Sequence, residues 1–197
     1  MSRIKKLELD NWDKELREMT AAYSCTPLEQ GAMRMFAYTP EMSKGLTAFA
    51  GSLKQNRSLP DRLVELVRLR VAFHNQCRSC MAIRYKDGQE DGITEDLVCS
   101  LEKPMEAENL SDAEKAAIQY GELFATNHMA INDDTYDNLR KYFNESEIVE
   151  LSMTVAFFVG FGRLAASYHM VEELPESFQA DEKETLTPWG NNSIIVR

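Results

Sequence analysis

Apolar positions recur at intervals of three and four residues over most of the chain, a spacing that predicts helices. "SLPDRLVELVRLRVAFHN" carries Leu63, Leu66, Val67, Leu69, Val71 and Phe73 on such a pattern. Ser58 or Asp61 can cap its start, and Pro60 suits a first turn. "SDAEKAAIQYGELFAT" opens with a capping box, Ser111 and Glu114. "TPEMSKGLTAFAGSL" predicts a helix behind Thr39, and "DDTYDNLRKYF" a short one. "SEIVELSMTVAFFVGFGRLAASYHMVEE" predicts a long helix with a kink or break at Gly160 and Gly162. No segment alternates convincingly as a strand would, so the expected class is all-α.

The pattern also divides the chain. Residues 1–30 are polar with scattered apolar positions and are expected on the surface. Residues 31–173 form the helical domain, and 174–197 an extended tail. That tail has Pro175, Pro188 and an acidic run, Asp181, Glu182 and Glu184. It also has Trp189, Ile194, Ile195 and Val196, too apolar for a free end, so it packs on its own domain or on a neighbouring subunit. "LVELVRLRVAFHNQCRSCMAIRY" and "IVELSMTVAFFVGFGRLAASYHM" align without gaps, matching Glu65 to Glu150 and Arg84 to His169. The echo suggests two related helix-pair halves, unless two amphipathic helices match by chance.

Composition narrows the class. The chain has 197 residues, enough for one domain with a sizeable core, with 44% hydrophobic and 27% charged residues. A net charge of −10 argues against nucleic acid and anionic membrane as main partners. The longest apolar run, 153–162, is short of a membrane span and reads as a buried helix segment. The first residues have positive charge but no apolar stretch behind it, so no secretory signal is read there and the cytoplasm is the expected compartment.

Candidate chemistry centres on "HNQCRSCMAIRY". Cys77 and Cys80 are one helical turn apart, close enough for a disulfide, and a first-turn position favours a thiolate. Two alternatives stand beside a redox pair. The cysteines can be core residues, or they can join Cys25 and Cys99 in a four-thiolate metal site, though the second Cys-x-x-Cys of a zinc ribbon is missing. Glu65 lies twelve residues before Cys77. If the chain reverses near Asn75 and a second helix runs on from Cys77, Glu65 faces Arg84 and Tyr85, and Arg84 lies one turn after Cys80. Glu65 then has apolar neighbours and needs a partner, with a Glu65–Arg84 ion pair the simplest choice.

The interval from Glu65 to Cys77, the Cys77-x-x-Cys80 pair and "YTPEMSKGLTAFAGSLKQNRSLPDRLVELV" resemble the carboxymuconolactone decarboxylase/alkylhydroperoxidase D superfamily, over about residues 32–172. The resemblance implies an alkylhydroperoxidase D-like helical bundle, usually a homo-oligomer (dimer, trimer or hexamer). It implies Cys80 as the peroxidatic thiol, Cys77 as the resolving thiol and Glu65 as a proton-relay carboxylate. Where that branch has a histidine one turn after the second cysteine, this chain has Arg84, which can stabilise a thiolate but cannot shuttle a proton. The implied activity is hydroperoxide reduction by a thiol pair regenerated by an unknown dithiol, with no cofactor and no metal. Two other readings compete: a cysteine-independent decarboxylase or lactone-acting enzyme, with Arg84 or Arg163 clamping a carboxylate, and a non-catalytic oligomer. Cys25 and Cys99 read as packing residues, His128 as a loop residue, and His169 as an ordinary helix-end residue more readily than a catalytic one.

Overall fold

The computed structural model describes residues 2–179 and 184–196. Helices α1 (Lys14–Met19), α2 (Pro27–Gln30), α3 (Met33–Phe36), α4 (Pro40–Gln55), α5 (Asp61–Asn75) and α6 (Arg78–Ala82) lead into a short strand, β1 (Ile83–Tyr85). Then come α7 (Lys86–Glu90), α8 (Glu95–Cys99), α9 (Asp112–Thr126), α10 (Asp133–Leu139), α11 (Glu145–Tyr168) and a second strand, β2 (Ile194–Val196). The class is all-α.

α5 runs through the centre, packed against α9 and α11. Leu66, Val67, Leu69 and Val71 of α5 share one core with Ala117 and Ile118 of α9 and Leu151, Val155 and Val159 of α11. Burying each such Leu, Ile or Val side chain is worth about 1.5–3 kcal/mol. Because α5 is covered nearly all round, its charged side chains are buried too: Glu65, Arg68 and Arg70. Each has to find a partner inside the fold.

Capping follows the sequence at α9, where Ser111 and Glu114 form the box, but not at α5. There Pro60 is the N-cap and offers no capping side chain, and the Asp91 carboxylate accepts from the first-turn N–H of Arg62 at 2.8 Å. The backbone N–H and hydroxyl of Ser58 and the N–H of Leu59 donate instead to the Glu150 carboxylate of α11. Glu150, the match of Glu65, thus pins the loop before α5.

α11 runs without a break through both glycines. Gly162 serves a close approach: a Cβ there would sit 2.5 Å from Asn75 Nδ2. Asn75 donates to the Phe158 carbonyl at 3.0 Å and accepts from Arg163 Nε at 3.1 Å, locking the end of α5 onto α11. By length and composition α11 could cross a membrane. Its Leu151, Val155 and Val159 instead lie in the shared core. α5 ends at Asn75, whereas α11 continues past the matching Gly160.

The strands were not expected. β1 and β2 pair in parallel, Ile83 with Ile194 and Tyr85 with Val196. The anticipated helix from Cys77 onward therefore stops at Ala82, because its next three residues hydrogen-bond to a distant strand. The tail packs on its own domain. Trp189 lies against Phe73 with ring centroids 4.9 Å apart, and Leu186 is bonded to Gln76. Asp181 and Glu182 of the acidic run lie outside the described residues.

Trp12, Leu16, Ala22 and Ala37 form a separate N-terminal cluster. Lys6 joins this segment to Glu172 and Glu173 beyond α11, and Arg34 also pairs with Glu173. Burial works against the charge on Glu172, but donors from Lys6 and the Ser2 backbone outweigh it and hold the carboxyl at about 2.

Candidate active site

α5 closes with Gln76 in the left-handed region, φ 49° and ψ 37°, which turns the chain sharply and leaves Cys77 as the N-cap of α6. Cys77 and Cys80 are joined in a disulfide with Cα atoms 5.2 Å apart. The two sulfurs are not equivalent. Cys77 is fully buried, with Ser79 Oγ 3.6 Å from its Sγ. Cys80 is half-buried and lines a cavity of about 540 Å³. A reagent in that cavity meets Cys80.

The cavity is walled by Phe157, Phe158 and Phe161 of α11, by Leu28 of α2 and Met33 of α3, and by Val196 of β2. Phe161 packs on Phe157 at 4.9 Å and on Phe36 at 6.2 Å. Apolar walls of this kind exclude water and accept an organic group. Lys6, Arg34 and Glu173 supply charge elsewhere on the lining, and they are bonded to one another.

Glu65 is buried, but its partner is Arg68 and not Arg84. Arg68 Nε donates to Glu65 Oε2 at 2.6 Å and Nη2 to Oε1 at 2.7 Å. The same guanidinium donates from Nη1 to the Cys80 carbonyl at 2.6 Å and from Nη2 to the Ile83 carbonyl at 2.8 Å. Tyr85 covers it with its ring, 4.8 Å from Cζ to centroid, and its N–H donates to Glu65 Oε1 at 3.3 Å. Burial opposes the charge on Arg68, but attraction to Glu65 and their hydrogen bonds dominate and raise its pKa further. Gly88 makes room for the pair: a Cβ there would stand 3.0 Å from Glu65 Cγ.

Arg84 has a different position from the one anticipated. Because α6 ends before it, Arg84 lies in β1, fully buried, and turns to Glu95 at 3.0 and 3.1 Å. It also donates to the carbonyls of Met81, Ile83 and Pro188. Arg84 is thus a tie between α6, α8 and the C-terminal arm. The structure brings together Cys77, Cys80 and Glu65 through Arg68, and takes the Arg84 side chain elsewhere. Arg163 is likewise committed, to Asn75 and the Ala125 carbonyl.

Arg68 was readable: it stands three residues after Glu65, the spacing of a helical ion pair. The tertiary fold alone showed Cys25 on the lining of the cavity that holds Cys80. A four-thiolate site is not assembled, since Cys77 and Cys80 are bonded together and Cys99 is exposed on α8. Among the described residues no cluster of His, Cys, Asp and Glu could hold a metal ion. His169 caps the end of α11 and faces a smaller polar cavity beside Ser79.

Residues 40–123 match the carboxymuconolactone decarboxylase family. Uncharacterized protein YdfG of Bacillus subtilis is 27% identical over 92 residues, 46% of this chain and 63% of that protein. An uncharacterized protein of Mycobacterium tuberculosis is 29% identical over 109 residues, 54% of this chain and 38% of its own length. The matches thus span less than two thirds of either relative. The fold is shared with the alkylhydroperoxidase AhpD core of an uncharacterized peroxidase-related protein from Ralstonia eutropha JMP134, at a TM-score of 0.69 and 18% identity, covering 90% of this chain and 94% of that one. It is shared too with a protein of unknown function from Agrobacterium tumefaciens, at a TM-score of 0.58 and 21% identity over 70% of this chain and 93% of that one. Residues 40–123 thus resemble the carboxymuconolactone decarboxylase family, and the chain carries an alkylhydroperoxidase D-like all-α fold.

Proposed function

We propose that the protein is a thiol peroxidase that reduces organic hydroperoxides through Cys77 and Cys80. One observation carries this reading: the two cysteines are bonded to each other, and only Cys80 lines the cavity. The Cys80 thiolate attacks one peroxide oxygen, the O–O bond breaks, and the alkoxide leaves as an alcohol after taking a proton. Cys80 is then a sulfenic acid. Cys77, one turn away, attacks that sulfur and releases water, giving the disulfide. A dithiol partner attacks Cys80, the reachable sulfur, and expels Cys77 as the leaving thiolate; its second thiol then attacks the mixed disulfide and frees Cys80.

Glu65 is held by Arg68 and the Tyr85 N–H, so in this reading water in the cavity delivers the proton to the leaving oxygen. The family match also suits the cysteine-independent alternative. The two clamps it would use, Arg84 and Arg163, are committed to other partners. The discriminating experiment is turnover of cumene hydroperoxide with dithiothreitol as reductant. The wild type should consume it catalytically, and Cys80→Ser should lose at least about a hundredfold in rate, as expected when a nucleophile is removed. Equal rates for the two proteins would refute the proposal.

A further inference from the structure

The guanidinium of Arg68 has one edge on Glu65 and another on the peptide of Cys80, with 2.6 Å from Nη1 to the Cys80 carbonyl oxygen. We infer that Arg68, aimed by Glu65, is a positioning residue that holds Cys80 at the cavity wall and stabilises its thiolate. This deepens the peroxidase reading and rests on it only for the use made of the thiolate.

The pair is oriented. Arg68 lines the large cavity together with Cys80. Glu65 does not line that cavity but a second one of about 240 Å³, which also touches Arg68 and Tyr85. The positive end of the pair therefore bonds the Cys80 peptide, and the negative end does not reach the cavity that Cys80 lines. Sγ and the carbonyl oxygen belong to one residue, and covalent geometry puts them within ~5 Å of each other, so Sγ is within ~8 Å of Nη1. At that distance a poorly solvated charge favours the thiolate, and after partial cancellation by Glu65 the shift is on the order of one pKa unit.

Other charged or titratable groups on the lining have their own partners. Lys6 and Arg34 are paired with Glu173. Glu29 closes the capping box of Thr26. Cys25 Sγ lies 3.6 Å from the Ala21 carbonyl oxygen. Tyr85 gives its ring face to Arg68. Glu65 has both oxygens occupied, Oε1 by Arg68 and the Tyr85 N–H and Oε2 by Arg68, so its part is to aim the guanidinium.

The test follows the rate of Cys80 alkylation by iodoacetamide against pH in reduced Cys77→Ser protein. In this parent Cys80 should titrate below the ordinary thiol value of about 8.5. Adding Glu65→Gln with Arg68→Met, which removes both charges together, should raise that pKa by about one unit and slow alkylation at pH 7 about tenfold. Arg68→Lys, which keeps the charge but not the fork, should restore part of the shift. A parent value at or above about 8.5 overturns the inference without any Arg68 variant, and an unmoved pKa in the Glu65→Gln/Arg68→Met protein overturns it too. Alkylation needs no hydroperoxide. A protein with the Arg68-dependent shift but no peroxide turnover upholds the inference and sinks the peroxidase reading. Turnover with an Arg68-independent thiol does the reverse.

Discussion

Gln76 and Leu186 exchange two hydrogen bonds: the Leu186 N–H donates to Gln76 Oε1 at 2.9 Å, and Gln76 Nε2 donates to the Leu186 carbonyl at 3.1 Å. Gln76 immediately precedes Cys77, and β2 of the same arm pairs with β1, three residues after Cys80. The C-terminal arm therefore grips the disulfide-bearing helix at both ends. A chain ending at Glu184 should unfold at lower temperature, and dithiothreitol should reduce its Cys77–Cys80 bond several-fold faster. Reduction followed by mass spectrometry checks this, and an unchanged rate would show that the arm does not shield the pair.

Arg84 has a structural role here, so its loss should be felt in stability and not at the thiol. Arg84→Met leaves the carbonyls of Met81 and Pro188 without their donor and should cost on the order of 3 kcal/mol in urea unfolding. The pH profile of Cys80 alkylation, measured in the Cys77→Ser background, should stay where it was. A profile moved by a full unit would return Arg84 to the role its sequence position suggested.

Gly162 and Asn75 should behave as a coupled pair. A Cβ on residue 162 meets Asn75 Nδ2 at 2.5 Å, so Gly162→Ala should destabilise by about 1–3 kcal/mol through overpacking. Asn75→Ala removes the obstacle together with its bonds to Phe158 and Arg163. The double variant should then lose less than the sum of the two single ones, and strict additivity would count against the close approach.

The N-terminal segment should loosen in acid. Glu172 is held at about 2 against an ordinary 4.5, so its folded pKa is depressed. Its stabilising contribution is complete above about 4.5 and is lost as the pH falls toward about 2. Hydrogen exchange at the Arg3 amide, which donates to the Tyr168 carbonyl, should therefore report more opening across that window. In Glu172→Gln the acid-dependent part should be smaller, and an identical pH response in the two proteins would remove Glu172 as its cause.

The longer helices α4, α5, α9 and α11 and the cysteine pair were legible in the sequence because both are local: a three-to-four periodicity and a one-turn spacing. The partner of Glu65 was misassigned through one assumption, that a helix continues past Ala82. Three residues, Ile83 to Tyr85, are instead drawn out by Ile194 to Val196, more than a hundred positions away. Such short strands have no period to read. With the helix broken, Arg84 turns to Glu95, and Arg68, already at helical spacing from Glu65, takes the carboxylate. The cavity was not legible for a related reason. Leu28 of α2 and Met33 of α3 share its wall with phenylalanines of α11 more than a hundred residues away, which only the tertiary fold brings together.

The central claim is that Cys80 attacks the peroxide and Cys77 resolves it. The most direct measurement is mass spectrometry of reduced Cys77→Ser and Cys80→Ser proteins after one equivalent of cumene hydroperoxide, with dimedone present to trap sulfenic acid. The account predicts a dimedone adduct on Cys80 in the Cys77→Ser protein and none on Cys77 in the Cys80→Ser protein. An adduct on Cys77 alone, or none on either cysteine after hours, would contradict it.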